Sequence, residues 1–124
     1  MRIVLAGASG VIGNRLVPAL VAAGHDVIGL TRKENSAAAI RAHGAQAVLA
    51  DVFDRGALSA LVRAAAPDVV MDQLTDLAGG DRAANARMRT VGTRNLVDAA
   101  LAAGVGKIVA QSIAWAYAPG EEPA

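Results

Sequence analysis

Three glycines spaced three residues apart, Gly7, Gly10 and Gly13, separate an apolar run from a helical pattern near the start of this chain. Ile3 to Ala6 is a continuous apolar run, which is typical of a buried parallel strand. Val11 to Ala23 carries apolar residues at helical spacing. In a strand–turn–helix of this kind, free N–H groups at the helix start face the oxygens of a bound phosphate. The sequence therefore predicts a phosphate-binding turn. A plain tight turn between strand and helix is the alternative.

The three glycines of the turn are needed for different reasons. The first allows a tight turn, the second lets a pyrophosphate approach the backbone, and the third lets the helix pack closely on the strand. The candidate cofactor turn consists of Gly7, Ala8, Ser9, Gly10, Val11, Ile12 and Gly13.

Strand and helix patterns alternate through nearly the whole of residues 1–124, which we interpret as a single domain. This alternation is typical of a parallel sheet with helices on both faces and right-handed crossovers. We expect a doubly wound α/β sheet of five strands in the order 3-2-1-4-5. The predicted strands are Ile3–Ala6, Val27–Leu30, Gln46–Ala50, Val69–Met71 and Lys107–Gln111, and the longest predicted helix spans 81–103.

Local signals place the ends of the predicted helices. Asn35 or Ser36 is expected to cap the second helix and Asp54 the third, and Pro67 should end the third. Pro18 lies inside the first helix, where we expect a local bend. The long fourth helix is expected to bury a face that includes Met88, Val91, Leu96 and Ala100.

The end of the second strand carries two cations and no carboxylate. A carboxylate there would hydrogen-bond a ribose with a free 2′-hydroxyl, but the sequence reads Leu30-Thr31-Arg32-Lys33. Arg32 can form a fork with a 2′-phosphate, and Lys33 adds positive charge. These residues predict a dinucleotide site that prefers NADP(H), with NAD(H) left open. The alternative is a pair of solvated cations on a loop.

Composition narrows the classes of partner. Hydrophobic residues make up 54% of the chain, aromatic residues 2%, and the formal net charge is +1. This balance predicts neither a nucleic-acid nor a membrane partner. Cysteine is absent, which removes disulfides, thiolate catalysis and cysteine-type metal sites, and we expect no metal. The N-terminal apolar run is too short for a secretion signal. We therefore expect a cytoplasmic protein with a small-molecule substrate, and a homo-oligomer stays open.

Further segments along the chain resemble one enzyme family. Besides the glycine turn, they are Asp51-Val52-Phe53-Asp54, the stretches 91–100 (VGTRNLVDAA) and 103–109 (AGVGKIV), Ser112 and Tyr117. In this order and spacing, residues 1 to about 118 resemble the extended and atypical short-chain dehydrogenase/reductases, the NAD(P)-dependent epimerase/dehydratase superfamily. The resemblance implies a Rossmann fold.

The resemblance also implies roles for individual residues. Asp51 should accept a hydrogen bond from the adenine amino group with Val52 against the ring, and Leu74 should lie along the cofactor. For Asp51, the alternative is a strand-end carboxylate that caps the following turn. The implied parent activity is that of a reductase, dehydrogenase or epimerase acting on a small carbonyl, alcohol or sugar-type substrate.

The chain departs from the family where such enzymes place their reacting groups. The usual His and small residues after the fourth strand are replaced by Asp72-Gln73-Leu74-Thr75, and an Asn on the long helix by Arg89. The second member of the usual serine pair is Ile113, which forms no side-chain hydrogen bond. Ser112 remains a catalytic candidate, although adjacent strand residues point to opposite faces. The usual Tyr-x-x-x-Lys pair is absent from this chain, because Tyr117 is its only tyrosine and position 121 is Glu.

Other polar residues have simpler interpretations. His25 and His43 each precede a strand and are expected at the sheet edge opposite the ligand site. Three carboxylates follow the fourth strand and predict either a general base or metal ligand, or a solvated loop: Asp72, Asp76 and Asp81. Four arginines of the long helix predict a solvated face or a subunit interface: Arg82, Arg87, Arg89 and Arg94.

Two functions stay open at this point. The first is the cofactor domain of an oxidoreductase or epimerase. The second is a non-catalytic dinucleotide binder, such as a redox sensor, which Ile113 favours; a nucleotide-binding fragment without a stable ligand is a further alternative. Because no helix is predicted after the fifth strand, the chain looks like the truncated front part of a longer domain whose C-terminal substrate-binding part is absent.

Overall fold

Parallel pairing of short apolar strands organises the chain. The computed structural model describes residues 1–8, 11–73 and 87–110. The strands of these residues are β1 (Arg2–Ala6), β2 (Asp26–Thr31), β3 (Gln46–Leu49), β4 (Val69–Asp72) and β5 (Lys107–Ala110). They form one parallel sheet in the order β3-β2-β1-β4-β5. The predicted strand order is confirmed, and Gln111 lies outside the described residues.

Helices connect the strands and cover both faces of the sheet. They are α1 (Val11–Ala22), α2 (Glu34–Ala42), α3 (Arg55–Ala65) and α4 (Thr93–Ala102), and a π-helical turn (Met88–Gly92) leads into α4. None of the helices in the described parts of the chain is both long and apolar enough to cross a membrane.

Each face of the sheet carries its own apolar core. Side chains of neighbouring β1 residues point to opposite faces of the sheet, because side chains alternate along a strand. One core contains buried residues of β1, β4, α3 and α4, among them Val4, Val70, Leu58, Val62 and Leu96. The other contains buried residues of β1, β2, α1 and α2, among them Leu5, Val27, Val17 and Ile40. The sheet is therefore doubly wound, as predicted.

The start of α2 differs from the prediction. Neither Asn35 nor Ser36 caps this helix, because the helix begins at Glu34 and both residues lie in its first turn. Asn35 Oδ1 accepts a hydrogen bond from the Ser36 N–H at 3.0 Å. Lys33 holds the capping position in an extended conformation, with no side-chain capping bond.

The ends of α3 follow from local chemistry. Asp54 caps the helix as predicted, and its Oδ1 accepts a hydrogen bond from the Ala57 N–H at 3.2 Å. The helix ends at Ala65, and Ala66 adopts a left-handed conformation with φ of 46°. Pro67 follows at once, and a residue before proline is disfavoured in the right-handed helical region.

The prediction for the long helix is partly wrong. Residues 81–86 lie outside the described part, and residues 88–92 form a π-helical turn instead of α-helix. Leu96 and Ala100 are buried as expected, but Val91 is 41% exposed. The buried face runs through Gly92 and Leu96, and neighbouring helical residues are rotated by about 100°. Val91 therefore turns away from the core.

The first helix continues through its proline. Pro18 lies inside α1, which runs unbroken from Val11 to Ala22. The predicted helix is confirmed, and the predicted local bend stays a prediction.

Candidate functional site

The carboxyl ends of β1, β2, β3 and β4 meet along one edge of the sheet. Ala6 at the end of β1 pairs with Leu30 of β2 and with Asp72 at the end of β4. Thr31 at the end of β2 pairs with Leu49 at the end of β3. The segments that begin at Gly7, Arg32, Ala50 and Gln73 therefore all start at this edge. Ligands of open parallel sheets bind at such an edge.

The turn after β1 is tightly packed against the start of α1. Gly7 has a φ of 80°, a conformation that glycine adopts without strain. A Cβ placed on Gly13 would overlap the carbonyl oxygen of Gly7 and would lie 2.8 Å from the carbonyl carbon of Ala8. Gly13 therefore leaves no space for a side chain, and α1 begins directly behind the turn. Ser9 and Gly10 lie outside the described residues.

Two exposed cations follow β2. Arg32 and Lys33 both lie on the surface directly after Thr31, the last residue of this strand. The Lys33 N–H donates a long hydrogen bond of 3.5 Å to Thr31 Oγ1. The nearest carboxylate along the chain, Glu34, pairs with Arg41 at 2.9 Å. That ion pair places the Glu34 carboxylate beside Arg41 on the surface of α2.

The loop after β3 is built from hydrogen bonds within itself. Asp51 Oδ1 accepts from the Phe53 N–H at 2.9 Å, and the carbonyl oxygen of Asp51 accepts from the Asp54 N–H at 3.0 Å. Asp51 is exposed, whereas Val52 is buried. The turn-capping role that we gave as the alternative for Asp51 is therefore present. It occupies one carboxylate oxygen, and the adenine role stays a prediction.

The end of β4 corrects the interpretation of Asp72. Asp72 is the last residue of the strand and only 6% exposed, so it does not belong to a solvated loop. Its Oδ2 accepts a hydrogen bond of 2.7 Å from Thr93 Oγ1. The hydroxyl that donates to it offsets part of the cost of burying a carboxylate. The next residue, Gln73, donates its N–H to the Ala6 carbonyl at 2.9 Å.

The first turn of α4 contacts both the end of β4 and the loop after β3. Thr93 holds Asp72 at the end of β4, and Asn95 Nδ2 donates a hydrogen bond of 2.8 Å to the Val52 carbonyl oxygen. Before α4, the Arg87 guanidinium lies 4.4 Å from the centre of the Phe53 ring. Sequence reasoning used Thr93 and Asn95 only as family markers. Their contacts depend on tertiary packing, for which the sequence carries no separate signal.

Several candidate residues do not join this edge or lie outside the described part. His25 precedes β2 and His43 follows α2, so both lie toward the opposite edge, as predicted. Among the residues whose placement is described, no group of His, Asp and Glu side chains is arranged to hold a metal ion. The predictions for the remaining candidates fall on residues outside the described ranges: Leu74, Asp76, Asp81, Arg82, Ser112, Ile113 and Tyr117.

Comparison with known proteins identifies a family and two relatives. Residues 3–124 match the model of the NAD dependent epimerase/dehydratase family. The chain is 46% identical to a 3-diazoavenalumate denitrifying reductase of a Streptomyces species, over 99% of this chain and 41% of the relative. It is 35% identical to the UDP-glucose 4-epimerase of Mycolicibacterium smegmatis, over 88% of this chain and 37% of the relative. The chain thus spans about two fifths of the length of these relatives.

A solved structure shows the same architecture. The UDP-glucose-4-epimerase of Stenotrophomonas maltophila, solved with bound NAD and formylated UDP-arabinopyranose, superposes with a TM-score of 0.80 at 25% identity. The match covers 93% of this chain and 38% of that one.

Proposed function

The chain belongs to the NAD dependent epimerase/dehydratase family, and on that premise we propose that it binds a nicotinamide dinucleotide along the carboxyl edge of its sheet. The observation that carries this proposal is the turn after β1. Gly7 adopts a positive φ, and Gly13 packs against the backbone of Gly7 and Ala8 without space for a Cβ. Such a turn brings a helix N-terminus up to a bound pyrophosphate.

The residues at this edge fit a dinucleotide. When bound, this cofactor supplies hydride transfer, and the protein supplies binding and orientation. The turn between Gly7 and Gly13 would hold the pyrophosphate. Asp51 Oδ1 is engaged by the Phe53 N–H, so we assign Oδ2 as the acceptor for the adenine amino group. The buried Val52 would then form the wall beside the adenine ring.

We further propose a preference for NADP(H) over NAD(H). Arg32 and Lys33 are exposed at the end of β2, where a dinucleotide places its adenosine ribose. A guanidinium can donate two parallel hydrogen bonds to a 2′-phosphate. Glu34, the nearest carboxylate along the chain, forms an exposed ion pair with Arg41.

Calorimetric titration of NADPH and NADH tests both proposals. We expect NADPH to bind at least about tenfold more tightly, which corresponds to roughly 1.4 kcal/mol. Arg32→Ala should remove most of this difference by weakening NADPH binding, and NADH affinity should stay within about twofold. A charge-assisted pair with a phosphate is worth roughly 1.5–3 kcal/mol, which sets the size of the expected loss.

The matched control for this test is Arg63→Ala. Arg63 is an exposed cation in the last turn of α3, at the sheet edge opposite the proposed site. Its loss changes the net charge equally but should leave both affinities unchanged. Equal or tighter binding of NADH by the wild-type protein would refute the NADP(H) preference. Absence of binding of either dinucleotide would refute the cofactor site itself.

For the whole protein we propose a reductase, dehydrogenase or epimerase of a small carbonyl, alcohol or sugar-type substrate, acting in the cytoplasm. The relatives support this class, since one is a reductase and another an epimerase of a nucleotide sugar. Within the described residues, the edge of the sheet offers binding and orienting groups. Ser112 remains the candidate hydroxyl for catalysis.

A further inference from the structure

A buried amide on α4 holds the loop that we assign to the adenine end of the cofactor. Asn95 is only 8% exposed, and its Nδ2 donates a 2.8 Å hydrogen bond to the carbonyl oxygen of Val52. The two residues are 43 positions apart in the sequence. The contact therefore joins the fourth helix to the segment after the third strand.

This contact fixes the loop together with the Val52 side chain, which is buried in the core beside Leu58 and Leu96. Two further hydrogen bonds join Asp51 to Phe53 and Asp54 within the loop. The Ala50 N–H donates to the Thr31 carbonyl at 2.9 Å and so fixes the start of the loop to β2. The bond from Asn95 fixes the peptide of Val52 to α4. A buried carbonyl that loses its donor is destabilised, so the loop is expected to shift when Asn95 is replaced by an apolar residue.

We propose that Asn95 is a positioning residue for the adenine half of the dinucleotide site. It acts through the Val52 carbonyl, which sets where the Asp51 carboxylate and the Val52 side chain stand at the sheet edge. This inference rests on the proposed dinucleotide site. Thr93, two residues earlier on α4, holds Asp72 at the end of β4. The same helical turn therefore contacts the segment after β3 and the last residue of β4.

A substitution that keeps the branching and the number of side-chain heavy atoms but removes the donor tests the inference. Asn95→Leu is expected to weaken binding of AMP, a probe of the adenine half, by about tenfold, the loss of one buried hydrogen bond. NADPH should be weakened by a similar factor. AMP affinity is measured by displacement of NADPH fluorescence. Far-UV circular dichroism and the Tm, measured on the same sample, verify that the variant is folded.

Asp98→Asn is the matched control. Asp98 lies on α4 three residues after Asn95, and its carboxylate pairs with Arg55 of α3 at 3.4 Å on the surface. The change removes a contact between α4 and the first residue of α3, but it does not touch the loop. AMP and NADPH affinities should stay within about twofold, because exposed ion pairs contribute little.

A second variant separates the hydrogen bond from packing. Asn95→Asp keeps the shape but has no donor when ionised. Burial beside a carbonyl oxygen raises the pKa of such a carboxyl group, and its protonated form can donate again. The ratio of the variant's Kd to the wild-type Kd should therefore fall as the pH is lowered from 8 to 6 on the order of several-fold. The corresponding ratio for Asn95→Leu should stay constant.

The outcomes distinguish this inference from the proposed function. A wild-type protein that binds no dinucleotide overturns the dinucleotide site. A wild-type protein that binds NADPH, together with a folded Asn95→Leu variant of unchanged AMP and NADPH affinity, overturns the role of Asn95 alone. An Asn95→Asp variant that binds AMP as tightly as the wild type at pH 8, with its carboxyl group shown to be ionised by NMR, overturns the hydrogen bond as its basis.

Discussion

At the scale of single residues, the turn after β1 is limited by space. Gly7 needs its positive φ, and Gly13 faces the backbone of Gly7 and Ala8 so closely that no Cβ fits. The obstructing atoms belong to the backbone, which cannot move aside as the end of a flexible side chain can. A larger residue at position 13 would therefore distort the backbone of the turn.

Gly13→Ala should damage both stability and cofactor binding. We expect the free energy of unfolding to fall by about 2 kcal/mol or more, in the range of overpacked sites, and NADPH affinity to fall at least about tenfold. Chemical denaturation and calorimetry measure the two effects. Gly56→Ala is the control, because the atom nearest to its added Cβ is Asp54 Oδ1 at 4.0 Å and the residue lies in α3. It should change the free energy of unfolding by no more than about 0.5 kcal/mol, because Gly56 is exposed and lies in the first turn of the helix. A Gly13→Ala variant as stable and as tight-binding as wild type would contradict the steric argument.

Residue-scale predictions from sequence succeeded where the chemistry was local. Asp54 caps α3 because its side chain needs only the N–H of Ala57, three residues on. The Asn95–Val52 and Thr93–Asp72 bonds were not predicted. Each joins residues that are brought together only by the packing of α4 against the sheet, and a side-chain type alone does not identify a distant partner.

At the scale of elements, the end of α3 stores a small strain. Ala66 adopts a left-handed conformation with φ of 46°, and its N–H donates to the Val62 carbonyl at 3.0 Å. This conformation costs an L-residue with a Cβ about 1–2 kcal/mol, while glycine adopts it freely. The arrangement ends the helix directly before Pro67.

Ala66→Gly should therefore stabilise the protein. Relief of the left-handed strain exceeds the extra entropy that glycine brings to the unfolded chain, about 0.4–1 kcal/mol. The net gain in the free energy of unfolding should be about 0.5–1 kcal/mol, measured by urea denaturation. The control is Ala64→Gly, the same change at an exposed position inside α3, which should destabilise by about 1 kcal/mol. Destabilisation by both changes would show that Ala66 is not strained.

Element boundaries were harder to predict than element types. The helix after β4 was expected to be regular, whereas residues 88–92 form a π-helical turn. In a π-helical turn the backbone hydrogen bonds join residues five apart instead of four. The spacing of apolar residues in such a short turn is the same as in an α-helix. The exposure of Val91 follows from this local geometry and from the position of Gly92 on the buried face.

At the scale of the whole molecule, topology was the most predictable level. Apolar strands alternating with amphipathic helices permit few packings, since crossovers are right-handed and both sheet faces must be covered. The observed order β3-β2-β1-β4-β5 and the two cores agree with that expectation. The same topology places the ends of four strands at one edge, which makes the proposed site a property of the entire sheet.

Cofactor binding should therefore stabilise the molecule globally. At NADPH concentrations a hundredfold above its Kd, the free energy of unfolding should rise by about 2.7 kcal/mol. For a domain of this size, the Tm should increase on the order of 10 °C. A thermal scan that monitors far-UV circular dichroism measures the shift. Sodium pyrophosphate at matched ionic strength is the control and should give a much smaller shift. An equal shift with pyrophosphate would contradict the proposed adenine and ribose contacts, because pyrophosphate carries neither group.

The close approach at Gly29 has a consequence for how this sequence can vary. A Cβ on this residue of β2 would lie 2.9 Å from both the Ala8 Cβ and the Ile40 Cγ2. A strand, the turn after β1 and the helix α2 therefore share one small volume. A larger side chain at Gly29, Ala8 or Ile40 therefore requires a smaller side chain at one of the other two positions. The size of residue that fits at Ala8, in the turn that we assign to the pyrophosphate, therefore depends on the side chain at Ile40. That side chain belongs to α2, a helix that carries none of the proposed ligand contacts.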